Sequence, residues 1–459
     1  MDETLSVRGL RFSILGGARS GLAAARLLKS KGVDVFLSDS APAERMREAA
    51  RALEAIGVQA EFGVNSRRVL EADTIVVSPG VPSDAPLLKD ARARGIGVVS
   101  ELEVASWFCA APIVAITGTN GKTTTTTLAG RMFSDARVPS AVAGNIGTAF
   151  CDVVPALGPD GVAVVEVSSF QLDDVRSFRP AVAVILNITP DHLDRYHHSF
   201  AEYIAAKERV FRNQGAGDVL IYNADDEVTR TAVERDAPAG VELLPFSTRS
   251  LPDRGAGVRA GMLTVALRGA VHDVIRAEEI SIPGEHNLAN AMAATLSAAV
   301  MGVPPASIRA TLRNFKGVEH RLEFVRELGG IAYVNDSKAT NVDSVWYALR
   351  SFARPLVVLM GGRDKGNDYG RLLEPVREHV RAIVAIGESA AKVRAAFAGV
   401  VHVEEAASMA EAVRAARRLA RPGDTVLLSP ACASFDWFDN YEHRGNVFKE
   451  LVTALAPET

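Results

Sequence analysis

The chain has 459 residues, 48% of them hydrophobic, and a net charge of −4. That length holds about three domains of ~150 residues each, and the acidic balance argues against a broad nucleic-acid surface. No apolar run approaches the roughly 18 residues of a bilayer span, the acidic start at Met1-Asp2-Glu3-Thr4 carries no signal-peptide pattern, and Cys109, Cys151 and Cys432 lack metal-ligand spacing. The expectation is a cytoplasmic protein with no membrane insertion and no nucleic-acid partner.

Short apolar strands alternate with helical segments, the pattern of α/β domains with mostly parallel sheets. A strand at Arg11–Leu15 leads into the turn Gly16-Gly17-Ala18-Arg19-Ser20-Gly21, then a helix over 22–31 and a strand over 33–38 ending at Asp39. The turn is close to a dinucleotide fingerprint, with Ala18 in place of the middle glycine. It reads either as an ordinary tight turn or as a helix N-terminus set for a diphosphate, with Asp39 available to a ribose or base. Strands follow at 74–78 and 97–100, and Ser78-Pro79-Gly80-Val81-Pro82 is placed to line the same crevice. Residues 105–111 read as a linker.

The apolar run 112–116 opens a second unit and continues into Thr117-Gly118-Thr119-Asn120-Gly121-Lys122-Thr123-Thr124, with a helix over 124–133 behind it. Strand, glycine loop, Lys-Thr and helix together cradle nucleotide phosphates. Backbone N–H groups face the anion, Lys122 reaches the outer phosphates, and Thr123 holds Mg²⁺. The usual loop has a glycine where this chain has Ile116, so this version is shorter. A glycine turn with an exposed lysine is the bland alternative. It leaves unexplained the β-branched run from Thr123 to Thr127, a poor helix start.

Glu166 ends an apolar strand over 162–167, where open α/β sheets place their ligands, and suits Mg²⁺ bound directly or through water. A strand over 181–187 runs into Asn187-Ile188-Thr189-Pro190-Asp191-His192-Leu193-Asp194-Arg195, where His192 suits a metal or a phosphate. Ser199-x-x-Glu202 reads as a capping box. On the helix after it, Lys207 shares the face of Tyr203, Val210 and Phe211. A bare ammonium there is costly unless paired. It is a snorkelling lysine, or an active-site lysine that is paired or carbamylated. A strand at 219–222, a β-rich stretch over 243–282 and a helix over 287–301 follow. Asn287 reads as a cap or an adenine contact. A junction over 304–321 leads to strands at 331–334, 356–360, 382–386 and 425–428. Three of these end in segments rich in small and charged residues, where Lys338, Lys365 and Ser434 suit an anionic substrate.

Taken together these residues resemble the Mur ligase family over essentially the whole chain. The resemblance rests on the shortened loop at Thr117 to Thr124, Glu-Val-Ser-Ser-Phe-Gln-Leu from Glu166, and Asn-Ile-Thr-Pro-Asp-His-Leu-Asp-Arg from Asn187. It also rests on Asp336-Ser337-Lys338-Ala339-Thr340-Asn341, Gly361-Gly362-Arg363-Asp364-Lys365-Gly366, and Leu428 through Phe435.

The resemblance implies a Rossmann-like UDP-binding domain (1–108), a central P-loop ATPase domain (109–307) and a Rossmann-like C-terminal domain (308–459). It implies ATP-dependent addition of D-glutamate to UDP-N-acetylmuramoyl-L-alanine through an acyl phosphate, by a monomer. An L-glutamate-adding muramoyl ligase or a folylpolyglutamate-type ligase is the alternative. Gly17, Arg19, Ser20, Gly21, Asp39 and Ser40 would hold the UDP moiety, and Asn145 and Gln171 the muramoyl part. Gly118, Thr119, Asn120, Gly121, Lys122, Thr123, Thr124, Asn287, Arg321 and Asp336 would contact ATP. Lys338, Lys365, Ser434 and Tyr441 would grip glutamate; relatives often carry Phe where this chain has Tyr441. Two Mg²⁺ ions would be served by Thr123, Glu166, His192 and Lys207 as its carbamate.

Overall fold

The computed structural model describes residues 7, 9–145, 147–364 and 366–456. The chain forms two compact units: Met1–Ile280 with Ala289–Asn314, and Ser281–Leu288 with Phe315–Thr459. The first unit contains two sheets and the second contains one, all three mostly parallel.

The N-terminal sheet has strands β1 (Arg11–Leu15), β2 (Asp34–Asp39), β3 (Gln59–Phe62), β4 (Thr74–Val77) and β5 (Gly97–Ser100), in the order β3-β2-β1-β4-β5. All pairs are parallel. The order reverses between β1 and β4, so the turns leaving these two strands diverge and open a crevice at their carboxyl ends.

The central sheet runs β14-β13-β12-β11-β10-β9-β6-β8-β7. Its strands are β6 (Ile113–Thr117), β7 (Ser140–Gly144), β8 (Val162–Glu166), β9 (Val182–Ile185), β10 (Val219–Asn223), β11 (Glu242–Ser247), β12 (Gly255–Arg259), β13 (Met262–Leu267) and β14 (Ala270–Arg276). The β-rich stretch resolves into β11 to β14, antiparallel only where β12, β13 and β14 meet. Strands β6, β8 and β9 are buried at every position, as expected of parallel strands covered on both faces.

The segment expected to be a linker begins as a helix, Glu101–Phe108, whose N-cap Ser100 accepts from the Glu103 N–H at 3.4 Å. Val104 and Ala105 pack in one apolar core with Phe12 of β1 and Ile113 of β6. That shared core is why the first two sheets belong to a single unit. The capping box at Ser199 forms only by half. Ser199 Oγ accepts from the Glu202 N–H at 3.3 Å, while the Glu202 carboxylate turns to His197 Nδ1 at 2.9 Å.

The second unit carries the sheet β15-β16-β20-β17-β18-β19. Its strands are β15 (Glu323–Leu328), β16 (Ile331–Asn335), β17 (Leu356–Gly361), β18 (Val380–Ile386), β19 (His402–Ala406) and β20 (Thr425–Leu428). Only the edge pair β15–β16 is antiparallel. The inner strands β16, β20 and β17 lie side by side and send three loops to one edge.

Glu103, fully buried, fastens the helix Glu101–Phe108 to the loop before β9. Its carboxylate accepts from the N–H groups of Arg176 (2.9 Å), Ser177 (2.8 Å) and Phe178 (2.9 Å), from the Trp107 indole N–H (3.0 Å), and from the Ser177 hydroxyl. An amide in its place turns a donor toward these donors. Glu103→Gln is expected to lower the unfolding free energy by roughly 2–4 kcal/mol, read by urea denaturation. An unchanged midpoint contradicts this anchor.

Candidate active site

The crevice at the N-terminal sheet encloses 410 Å³. Its lining includes Arg19, Ser20, Asp39, Ser40, Asn145 and Gln171 from the expected set, together with Asn65 and the whole loop Ser78 to Val81. Gly17 and Gly21 shape the turn instead of facing the cavity. The Gly17 N–H donates to Asp39 Oδ2 at 2.5 Å, and a Cβ on Gly21 would collide with the Gly16 carbonyl oxygen. Asp39 Oδ1 accepts from the Ala41 N–H at 2.7 Å, so both carboxylate oxygens also hold the local backbone.

One arginine outside the expected set ties this crevice to the central domain. Arg195 donates from Nη1 to the Pro79 carbonyl at 2.7 Å and from Nη2 to the Val81 carbonyl at 2.9 Å. Its guanidinium lies 4.0 Å from the centre of the Phe170 ring. The His192 ring stands edge-on to the same phenyl ring, with centroids 5.0 Å apart. Arg195 belongs to the His192 segment, but its partners are backbone carbonyls far away in sequence, which no local pattern announces.

The glycine loop leaves β6 and ends in the helix Lys122–Asp135, two residues earlier than expected. Gly121 begins it with φ near +87°, and a Cβ there would collide with Asn290 Oδ1. The neighbouring strand end braces the loop. Thr119 N–H donates to the Asn187 carbonyl (2.9 Å), Asn120 N–H to Asn187 Oδ1 (2.8 Å), and Thr119 Oγ1 to the Thr189 carbonyl (3.0 Å). Lys122 Nζ folds back on the carbonyls of Gly118 and Thr119, each at 2.8 Å. Thr123 and Thr124 are buried in the first turn of the helix.

Lys207 reaches the same carbonyl: its Nζ donates to Gly118 O at 2.9 Å. It is 1% exposed, with the Tyr203 ring centre 4.6 Å away. Burial holds its pKa well below the usual lysine value. Repulsion from Lys122 adds to the shift, and Asp191 and Asp173 oppose it. The snorkelling alternative does not describe a lysine whose ammonium is enclosed with its stem.

Glu166, at the end of β8, accepts from Asn145 Nδ2 at 2.9 Å through Oε1, while Oε2 is buried without a protein partner. The hydroxyls of Thr117 and Thr124 are also buried and unpartnered. Gln171 Oε1 caps its own helix through the N–H and hydroxyl of Ser168 (3.1 and 3.0 Å), and its buried Nε2 has no partner. His192 has φ near +53° and its Nε2 lies 3.6 Å from Asp191 Oδ2. Among the described residues no three His, Cys, Asp or Glu side chains group closely enough to hold a metal. The uncommitted donors at this strand edge are carboxylate and hydroxyl oxygens, the set a hard divalent cation prefers.

In the second unit, Asn287 lies inside the first turn of the helix Glu285–Val300. Its Nδ2 donates to the Pro283 carbonyl at 2.7 Å, so it is not the N-cap. Asp336, at the end of β16, accepts from the Leu322 N–H (3.2 Å) and Ser429 Oγ (2.9 Å). Arg321 Nε is buried without a partner. The Lys338 ammonium lies 5.3 Å from the centre of the Tyr441 ring, and Ser434 is buried on the loop after β20. Lys365 lies outside the described residues.

The domain order at these sites decides the kinship. Residues 11–100 match the Mur ligase MurD-like N-terminal domain, 116–298 the Mur ligase middle domain, and 320–432 the Mur ligase glutamate ligase domain. The chain belongs to the Mur ligase family. The UDP-N-acetylmuramoylalanine–D-glutamate ligase of Salinibacter ruber is 50% identical over 457 residues, spanning 98% of this chain and 99% of that one. The protein of the same description from Chloroherpeton thalassium is 47% identical over 463 residues, spanning 98% and 99%. The fold is shared with the UDP-N-acetylmuramate-alanine ligase of Thermotoga maritima, at a TM-score of 0.61, 19% identity, and 97% and 99% coverage.

Burial pushes the Asp336 carboxyl up to about 7 from an ordinary 3.8, with Arg321 pulling the other way. A carboxyl raised on folding contributes stability that is complete below its unfolded value. That contribution is lost as pH climbs through the folded value. The unfolding free energy of the native protein relative to Asp336→Asn is therefore expected to fall between pH 4 and 7, by on the order of a few kcal/mol. Denaturant titrations at fixed ionic strength measure it; a pH-independent difference contradicts the assignment.

Proposed function

We propose that this ligase joins D-glutamate to the alanyl carboxylate of UDP-N-acetylmuramoyl-L-alanine, with ATP as co-substrate, in the supply of peptidoglycan precursor. The hydrogen bond from Asn145 to Glu166 carries the reading. It joins a wall of the N-terminal crevice to the strand end paired with β6, directly beside the phosphate loop. A carboxylate at the end of a sugar nucleotide held in that crevice is aimed at ATP. The naming of the relatives from S. ruber and C. thalassium supports D-glutamate over L-glutamate or a folate substrate.

The chemistry follows in two steps. The alanyl carboxylate attacks the γ-phosphorus, ADP leaves, and an acyl phosphate forms. The glutamate amine then attacks the acyl carbon and phosphate departs. Lys122 turns from the loop carbonyls to the outer phosphates, and the N–H groups at Gly121 to Thr124 cradle them. Gln171 Nε2 donates to the muramoyl substrate. Asn287, Arg321 and Asp336 contact ATP, and Lys338, Lys365, Ser434 and Tyr441 hold the amino acid. Two Mg²⁺ ions, held by Thr123, Glu166, His192 and carbamylated Lys207, would offset charge on the transferring phosphoryl group. The unpartnered Glu166 Oε2 supports that set. The depressed Lys207 pKa supports the carbamate, because the neutral amine is the form that adds carbon dioxide. We assign domain boundaries at 108/109 and 307/308, a monomer and a cytoplasmic site. Among the described residues no helix is long and apolar enough to cross a membrane.

Phosphate release is the direct assay, with ATP, Mg²⁺, the muramoyl substrate and either glutamate enantiomer. Release that depends on D-glutamate is expected; dependence on neither enantiomer rejects the reading. Lys122→Ala is expected to lose about 10³-fold or more in turnover with its unfolding curve unchanged. Lys207→Ala is expected to be nearly inactive, and wild-type rates in that variant would discard the carbamate.

A further inference from the structure

Arg444 is the bulkiest fully buried side chain among the described residues, 1% exposed, on the helix Tyr441–Thr453. It makes no ion pair with any described residue. Its guanidinium instead spans two strand-end loops. Nε donates to Ser337 Oγ at 2.9 Å and Nη2 to the Ser337 carbonyl at 2.7 Å. Nη1 lies within reach of the carbonyls of Cys432 (3.1 Å) and Ala433 (3.3 Å). The Ser337 hydroxyl in turn donates to the Tyr441 carbonyl at 2.8 Å. Ala433 also pairs with the third loop: Arg363 N–H donates to its carbonyl at 2.9 Å, and its N–H to the Arg363 carbonyl at 3.2 Å.

Burying a guanidinium without a directly bonded carboxylate is costly even with the charges of Asp436 and Asp336 nearby, and an apolar side chain of similar volume fills such a space at lower cost. What an apolar residue cannot do is hold both loops at once. The planar fork presents five donors in fixed directions. Here they fix Ser337 beside Lys338 and Ala433 beside Ser434. Burial lowers the Arg444 pKa to about 10, which leaves it charged at neutral pH.

We propose that Arg444 is a positioning residue of the amino-acid site, setting the spacing between the Lys338 and Ser434 segments that grip the two carboxylates of glutamate. The inference rests on the reading of this sheet edge as the glutamate site. It adds a residue that touches no substrate and acts through the loops it ties.

Arg444→Gln removes the charge and most of the fork; Arg444→Lys keeps the charge without the fork. For both, the KM for D-glutamate is expected to rise about tenfold or more, while the KM for the muramoyl substrate stays within about twofold. Acyl phosphate trapped with hydroxylamine, formed without glutamate, should likewise remain at the wild-type level. A lysine variant with wild-type glutamate KM overturns the proposal, because charge alone would then suffice. An equal rise in every KM overturns it as a general structural effect. If neither variant folds, Ser337→Ala, which deletes one hydroxyl of the network, is expected to raise the glutamate KM alone by about three- to tenfold; no change overturns the proposal. Wild-type protein without glutamate-dependent phosphate release would fail the functional reading itself. Wild-type release with normal glutamate KM in the variants fails only the role of Arg444.

Discussion

A parallel strand buried on both faces leaves polar chemistry one place to go, the loop beyond its carboxyl end. Strand β6 is buried at all five positions, as is β8 beside it. The glycine loop, Glu166 and the Asn187 segment therefore gather at one edge because the rest of each strand has no room for them. The same constraint places the crevice beyond β1 and β4, and the three loops of the second unit beyond β16, β20 and β17. Function follows sheet order here more closely than it follows any single motif.

Gathering polar groups at a buried edge creates an electrostatic problem. Two lysine ammonium groups converge on the Gly118 carbonyl, one of them enclosed. Carbonyl dipoles are weak partners for an enclosed ammonium in a poorly polarisable site. Burial is the main reason the Lys207 pKa lies well below the usual lysine value, and the charge of Lys122 adds to the shift.

The central architecture was legible in the sequence because inner strands and glycine loops write it in local patterns. The strands that sequence reading left out, β3, β7, β15 and β19, are all sheet edges. Gln59-Ala60-Glu61-Phe62 and His402-Val403-Glu404-Glu405-Ala406 lack the apolar run of a strand covered on both faces. The segment expected to be a linker is helical through Phe108 and irregular from Cys109 to Ala111. Its apolar residues serve a core shared by two sheets, and nothing local distinguishes that from a connector. Of the site residues, those in glycine loops and at inner strand ends were readable. The contacts of Arg195 and Arg444 were not.

Those omissions share a cause. Arg195 holds the Pro79 and Val81 carbonyls, and Arg444 holds the carbonyls of Ser337, Cys432 and Ala433. Glu103 does the reverse, collecting backbone N–H groups from 176 to 178. In each case main-chain groups, which every residue carries, supply most of the partners, so the pairing leaves little mark in the side-chain pattern. Buried groups left unpaired would cost several kcal/mol each. The backbone of these loops is consequently constrained to the one arrangement that satisfies the charge. A loop fixed in this way needs no regular secondary structure to be rigid, and rigid loops at strand ends are what a site in either unit requires if its polar groups are to keep one geometry.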